Sequence, residues 1–287
     1  MTIVPYTPEL TKAKKEFGIA VIEGNIDSMV DSEKILKWSK SMDILAISIV
    51  IIIFFSSMIQ SITGFGFAIV GTPLLLLFME PRQVISLMTI CGLLLNLMVI
   101  IKTRGRSDPK VIWPLFAASL FGIVPGVYIL KVIDPSILKL CIGILILLVA
   151  LFMASNYVMT IKNEKLATIL VGIVSGFMGG STSLGGPPVA LFLMNQHQDK
   201  EAFRANLVRF FCYGNIATLI IMYCMDTLDT GIFSHLIYAI PGVLVGVWLG
   251  EKSFAKVSPK FFRWLTLFII FFCGVVSVVS VLVIQYS

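Results

Sequence analysis

Two hydrophobic regions of this chain are interrupted by glycine and proline, and they decide how it folds. Residues 59–74 read IQSITGFGFAIVGTPL, and residues 175–188 read SGFMGGSTSLGGPP. The regions that contain them, Phe65–Met79 and Leu166–Asn195, are apolar but too interrupted to form single straight helices, and we expect the second to be broken in its middle from Gly179 to Pro188. What such interruptions mean depends on whether water or lipid surrounds them, and the composition answers that question.

The composition is that of a membrane protein. Of the 287 residues, 57% are hydrophobic and 13% are charged, and the mean hydropathy is +0.97. A soluble domain carries roughly twice that share of charge. A water-soluble core of this size could not bury so much apolar surface while exposing so few charges. We therefore predict an all-α, polytopic integral membrane protein of the cell membrane, with the lipid bilayer as its partner.

Seven stretches have the length of about 20 apolar residues that a helix needs to cross a bilayer. They are Ile44–Thr63, Val84–Ile101, Val111–Leu130, Ser136–Met159, Ala205–Met225, Ile232–Leu249 and Phe261–Ile284. Together with the two broken regions they give about 8–10 membrane segments. A charged tail, residues 1–43, precedes the first span, and it does not look like a cleavable signal because its apolar run starts too late.

The second half of the membrane region repeats features of the first half. At a shift of 115 positions two glycines and a proline coincide, namely Gly64, Gly71 and Pro73 with Gly179, Gly186 and Pro188. Asn96 lies 119 positions before Asn215. The stretch GIVPGVY at 122–128 lies 120 positions before GVLVGVW at 242–248. Matches that keep the same order and involve Gly and Pro favour an internal duplication.

The basic residues indicate that the two repeats are inverted. After position 43 the chain has 16 Lys and Arg but 9 Asp and Glu, a bias typical of cytoplasmic loops and not of nucleic-acid binding. If the loops 102–110, 160–165, 197–209 and 251–263 lie on one side of the membrane, that side holds 13 of these 16 basic residues. Each loop of the first repeat, 44–160, then faces the side opposite to its counterpart in the second, 166–284. Inverted repeats with broken segments at matching positions are typical of secondary transporters.

We expect the substrate site at the two broken segments. Glycine-rich breaks direct several N–H groups and the positive ends of half-helices at one point, which suits an anion. Arg204, shortly after the second segment, could hold an anion through two parallel hydrogen bonds. The candidate substrate-binding residues are Gln60, Thr63, Gly64, Gly66, Gly179, Gly180, Ser181, Thr182, Ser183, Gly185, Gly186 and Arg204. In the alternative interpretation the glycines only let helices pack closely, and Arg204 only reaches the lipid head groups.

Other chemistry is disfavoured by what the sequence lacks. It contains no Ser/His/Asp or Cys/His grouping, no metal-ligand cluster and no phosphate-binding loop, so we predict no enzyme, no metal and no other cofactor. No Asp or Glu lies deep inside a predicted span, which disfavours a buried carboxylate as proton relay. Asn96 and Asn215 lie inside spans, where polar contact between helices is slightly favoured over lining the site.

The same residues resemble a known family. The stretch 59–67 followed by Pro73, and the stretch 175–188 followed by Phe-Arg-Ala at 203–205, are similar to the TauE/SafE family of sulfite-exporter-like membrane proteins. The resemblance covers about residues 44–284. It implies a duplicated helical transporter that moves small sulfur-containing anions such as sulfite or organosulfonates.

We therefore expect a secondary transporter, an exporter or facilitator, of a small oxyanion that works by alternating access between two inverted repeats. A homo-oligomer is compatible with this architecture. Two other functions stay open. An anion channel would share the broken helices but show flux without saturation, and a non-transporting membrane scaffold would keep the repeats for packing alone.

Overall fold

The computed structural model describes residues 32–103, 106–154, 163–196 and 198–254. Within these ranges the chain is all-α, without a strand, as predicted. The helices there are α1 (Ser32–Thr63), α2 (Phe67–Leu75), α3 (Pro81–Lys102), α4 (Pro109–Val132), α5 (Pro135–Ala154), α6 (Glu164–Thr182), α7 (Gly186–Asn195), α8 (Lys200–Cys224) and α9 (Phe233–Ser253). Most of the charged tail and the predicted span Phe261–Ile284 lie outside the described residues.

Six helical segments are long and apolar enough to cross a membrane. They are Ile44–Thr63, Pro81–Lys102, Pro109–Val132, Glu164–Thr182, Lys200–Cys224 and Thr230–Ser253. Five of them confirm predicted spans. The sixth, Glu164–Thr182, was not predicted. The region Leu166–Asn195 was expected to be broken in its middle, but it contains one full-length helix followed by a short one.

Local sequence explains where two of the spans begin. Asp108 accepts the Lys110 N–H at 2.9 Å, and Pro109 takes the first helical position, where its missing N–H costs nothing. Asp199 caps α8 by accepting the Glu201 and Ala202 N–H groups at 3.0 and 2.7 Å. Both caps place an acidic side chain at the positive end of a helix dipole.

Glycines bring two pairs of helices into contact. A Cβ at Gly122 of α4 would lie 2.0 Å from the Ile173 carbonyl oxygen of α6, and one at Gly126 would lie 2.5 Å from that of Phe177. On α9, the glycines Gly242, Gly246 and Gly250 approach the carbonyl oxygens of Val50, Phe54 and Met58 of α1 in the same way. The contacts advance in the same order along both members of each pair. Each pair is therefore parallel, and its small residues let the two backbones touch.

The charged residues that the structure describes in the loops lie at two ends of the bundle, and those of the loops 102–110, 197–209 and 251–263 share one end. At one end Arg106 pairs with Glu201 at 2.6 Å, and Lys200 Nζ donates to the Phe254 carbonyl at 3.2 Å. At the other end Lys131 Nζ donates to the Met225 carbonyl at 2.7 Å. The helix α9 finishes at the end of the bundle that holds Arg106 and Glu201, so its parallel neighbour α1 finishes there too. The helix α4 starts at this same end, and so does its parallel neighbour α6. The helices α1 and α6 therefore run in opposite directions.

The outer surface of the bundle is apolar. Large side chains such as Phe121, Ile237 and Trp248 are 77%, 72% and 61% exposed. A continuous surface of this kind is stable against lipid but not against water. The chain is thus a multi-pass membrane protein, as the composition predicted.

Candidate functional site

Each of the two breaks is only three residues long. The chain leaves the helical conformation at 64–66, between α1 and α2, and at 183–185, between α6 and α7. Gly64, Gly66 and Ser183 have φ of +86°, +113° and +61°, a left-handed backbone that favours glycine. The prediction that the second break begins at Gly179 is wrong, because residues 179–182 form the last turn of α6. Glycine remains helical there because α6 packs closely on α4.

The two breaks are built by the same hydrogen bonds. Thr63 Oγ1 lies 2.8 Å from the Ile59 carbonyl oxygen and accepts the Phe65 N–H at 3.3 Å. Thr182 Oγ1 donates to the Met178 carbonyl at 2.7 Å and accepts the Leu184 N–H at 3.2 Å.

These two threonines are separated by 119 positions, the shift that also relates Asn96 to Asn215. The shift of 115 positions taken from the glycines and prolines is therefore wrong at the breaks, by about one helical turn. Gly64 corresponds to Ser183, and Gly66 corresponds to Gly185.

Both breaks line one cavity, with a volume of about 50 Å³. This is room for a few water molecules or for one small anion. The lining residues are Gln60, Gly66, Phe67, Ala68, Ile69, Met88, Thr89, Gly92, Asn96, Ser183, Leu184, Gly186, Phe211 and Asn215. They come from both halves of the chain, so neither half contains the site alone.

The first wall of the cavity is the start of α2. Gln60 is buried, donates from Nε2 to Asn96 Oδ1 at 2.8 Å, and accepts the Phe67 N–H on Oε1 at 3.1 Å. The first intrahelical bond joins the Val70 N–H to the Gly66 carbonyl at 3.1 Å. The N–H groups of residues 68 and 69 precede that bond and have no acceptor within the helix. The positive end of the α2 dipole therefore faces the cavity.

The second wall holds two polar groups without protein partners in the described part of the chain. Ser183 Oγ is buried and makes no hydrogen bond. The Asn215 amide has none either, and its Nδ2 lies 3.0 Å from where a Cβ at Gly92 would be. A larger residue than glycine at position 92 would displace that amide. The wall thus presents a hydroxyl and an amide that remain available to a bound molecule.

Two aromatic rings line the cavity in a reciprocal arrangement. The Phe67 ring of α2 lies over Gly92 of α3, 3.6 Å from the position of a Cβ there. In the second half the roles are exchanged. There the glycine, Gly186, is on the short helix α7, and the Phe211 ring of α8 lies 3.5 Å from its Cβ position. Both rings contribute apolar surface to the cavity wall.

Four of the sequence-predicted residues line the cavity: Gln60, Gly66, Ser183 and Gly186. Others build the breaks beside it, namely Thr63, Gly64, Thr182 and Gly185. Gly179 faces Gly185, 3.8 Å from its Cα. Gly180 lies against the Ile123 carbonyl of α4, and Ser181 donates to the Phe177 carbonyl at 2.7 Å. Gly179, Gly180 and Ser181 are not among the lining residues.

Arg204 lies beside the first break but is already paired. Its guanidinium forms an ion pair with Glu251 of α9 and stacks over the Phe254 ring, 4.5 Å from the centroid. Its Cα and Cγ lie 3.1 and 3.2 Å from the position that a Cβ on Gly64 would take. Glu251 was not predicted as a site residue. The available signal was a single acid directly after a span, at the end of the molecule that gathers the basic residues.

Asn96 and Asn215 are the main lining residues that sequence reasoning did not select. Polar contact between helices was the favoured prediction for both, and Asn96 does make such a contact with Gln60. The signal that could have identified them is their shift of 119 positions, since the two breaks share it. Within the described ranges, no group of three His, Cys, Asp or Glu side chains could hold a metal ion.

A known protein family matches most of the chain. The family model described as Sulfite exporter TauE/SafE matches residues 49–277. The matched region contains both breaks and every residue that lines the cavity. No curated protein and no solved structure matches the chain.

Proposed function

This chain belongs to the sulfite exporter TauE/SafE family, and from that premise we propose that it is a secondary carrier for a small sulfur-containing oxyanion such as sulfite. The observation that carries the proposal is the convergence of both breaks on one cavity. Irregular backbone at membrane depth is tolerated only where it lines a cavity or is buried in protein.

The chemistry of the cavity suits an anion. The start of α2 contributes N–H groups and a partial positive charge. The unpartnered Ser183 hydroxyl and Asn215 amide contribute further donors on the opposite wall. The volume of the cavity matches a small anion of a few heavy atoms.

Alternating access between two inverted repeats is the proposed mechanism. Three features support it: α1 and α6 run in opposite directions, the two breaks share their hydrogen bonds, and the parallel pair of α1 with α9 corresponds to that of α6 with α4. Each parallel pair joins one helix from each half. Rocking of the α1–α9 pair against the α6–α4 pair would open the cavity to one side of the membrane and then to the other.

A channel and a scaffold are the competing functions. A channel requires a continuous water-filled path, whereas this cavity has room for only a few water molecules and its wall includes the rings of Phe67 and Phe211. A scaffold does not require a buried hydroxyl without a partner in the cavity wall, such as that of Ser183, because such a group costs free energy unless a ligand uses it. Both features favour a carrier.

The test is flux in proteoliposomes that hold the purified full chain. Uptake of sulfite, methanesulfonate, sulfate and chloride would be compared with and without a proton gradient, and empty vesicles would give the passive rate. We expect saturable flux that is selective for one class of sulfur anion. Non-saturating flux would favour the channel. No flux from folded protein would overturn the transport proposal.

A further inference from the structure

The cavity contains no charged side chain among the residues that the structure describes there, and this limits the charge of its ligand. We propose that the carrier takes up a monoanion, hydrogensulfite and not the sulfite dianion, and holds it by neutral donors alone. The inference rests on the proposed function and specifies which ionic form of the substrate occupies the site.

The lining residues establish the charge of the site. None of them is Asp, Glu, Lys, Arg, His, Cys or Tyr. The nearby cation, Arg204, is neutralised by Glu251 and is not part of the lining. What remains is a set of neutral donors: the N–H groups at the start of α2, the Ser183 hydroxyl and the Asn215 amide.

Neutral donors discriminate strongly between one charge and two. The cost of transferring an ion from water into an apolar medium grows with the square of its charge, so a dianion costs about four times as much as a monoanion of equal size. The stabilisation from hydrogen bonds and from a helix end, worth about half an elementary charge, grows only in proportion to the charge. A site whose few neutral donors only just offset the cost of one charge therefore rejects a second charge.

Asn215 provides a further reason for a protonated ligand. Its amide offers both a donor, Nδ2, and an acceptor, Oδ1, and neither has a protein partner in the described chain. Sulfite has only acceptor oxygens, whereas the hydroxyl tautomer of hydrogensulfite also carries one donor. Asn215 can thus satisfy the proton that distinguishes the two forms.

The experiment is the dependence of flux on pH in the same proteoliposomes, with equal pH on both sides. Total sulfite is held constant while the pH is raised through the range in which hydrogensulfite gives way to sulfite. We expect saturable flux to fall in proportion to the hydrogensulfite fraction. Flux that stays constant or rises with pH would overturn the inference while leaving the transport proposal intact.

Methanesulfonate separates the charge of the ligand from any titration of the protein. It is a monoanion at every pH used, so its competition with sulfite uptake should not weaken as the pH rises. Sulfate, a dianion of similar size, should compete at least about tenfold less well. Equal competition by sulfate, or competition by methanesulfonate that fades with pH, would contradict the inference. Absence of flux for every sulfur anion would overturn both proposals.

Discussion

Arg204 at the start of α8 and Glu251 in the last turn of α9 form an ion pair whose arginine side chain is 5% exposed and whose glutamate side chain is 20% exposed. The backbone of Arg204 also packs on Gly64 in the first break. The pair therefore joins three elements at the end of the bundle where the basic loops gather. Any movement that separates α9 from α8 must break this ion pair.

Removing one member of the pair should destabilise the protein. Glu251→Ala leaves the Arg204 guanidinium buried without its carboxylate, at a cost of about 2–4 kcal/mol, and thermal unfolding in detergent measures the loss. Arg106→Ala is the matched control, because its ion pair with Glu201 is 59% and 52% exposed. That control should cost less than about 1 kcal/mol. Equal losses from the two variants would show that burial of the Arg204 pair does not matter.

Gly64→Ala should reduce both stability and flux. The backbone has φ of +86°, and the added Cβ would lie 3.1 Å from the Arg204 Cα, so strain of about 1–3 kcal/mol is expected. Gly214→Ala is the control, because nothing lies within 4 Å of its Cβ position on α8. It should keep wild-type flux and gain slightly in stability from its better helix propensity. A Gly64→Ala protein with wild-type melting temperature and flux would disprove the role of this backbone conformation.

Gly186→Leu should abolish flux without preventing folding. Position 186 has no positive φ, and its Cβ position is 3.5 Å from the Phe211 ring, an ordinary contact. The flux through Gly186→Ala should therefore be nearly that of the wild type. In Gly186→Leu the leucine side chain would fill the cavity of about 50 Å³ and block it. Size-exclusion profiles would verify folding of both variants. Retained flux in Gly186→Leu would mean that substrate does not pass through this cavity.

The helices were predictable because lipid imposes simple rules, whereas the site depended on contacts between distant residues. Apolar length alone located five of the six candidate spans. The second break was placed one turn too early, at Gly179, because glycines that serve close packing in α6 look the same in sequence as glycines that end a helix. The pairing of Arg204 with Glu251, 47 positions apart, depends on how α8 packs beside α9, which no local pattern encodes.

Ser183→Ala should weaken transport without lowering stability. The Ser183 hydroxyl makes no hydrogen bond in the described structure, so its removal takes nothing from the folded state and relieves the cost of a buried unpaired group. Because the hydroxyl lines the cavity, loss of one donor should raise KM about fivefold to tenfold, equivalent to the roughly 1 kcal/mol of one hydrogen bond.

Ser175→Ala provides the matched control for that variant. Ser175 Oγ donates to the Gly185 carbonyl at 2.5 Å and is buried, but it does not line the cavity. Its removal should lower the melting temperature by leaving that carbonyl unpaired, with a smaller effect on KM for the molecules that remain folded. Opposite behaviour of the two serines would show that Ser183 serves the fold and that the polar wall of the cavity lies elsewhere.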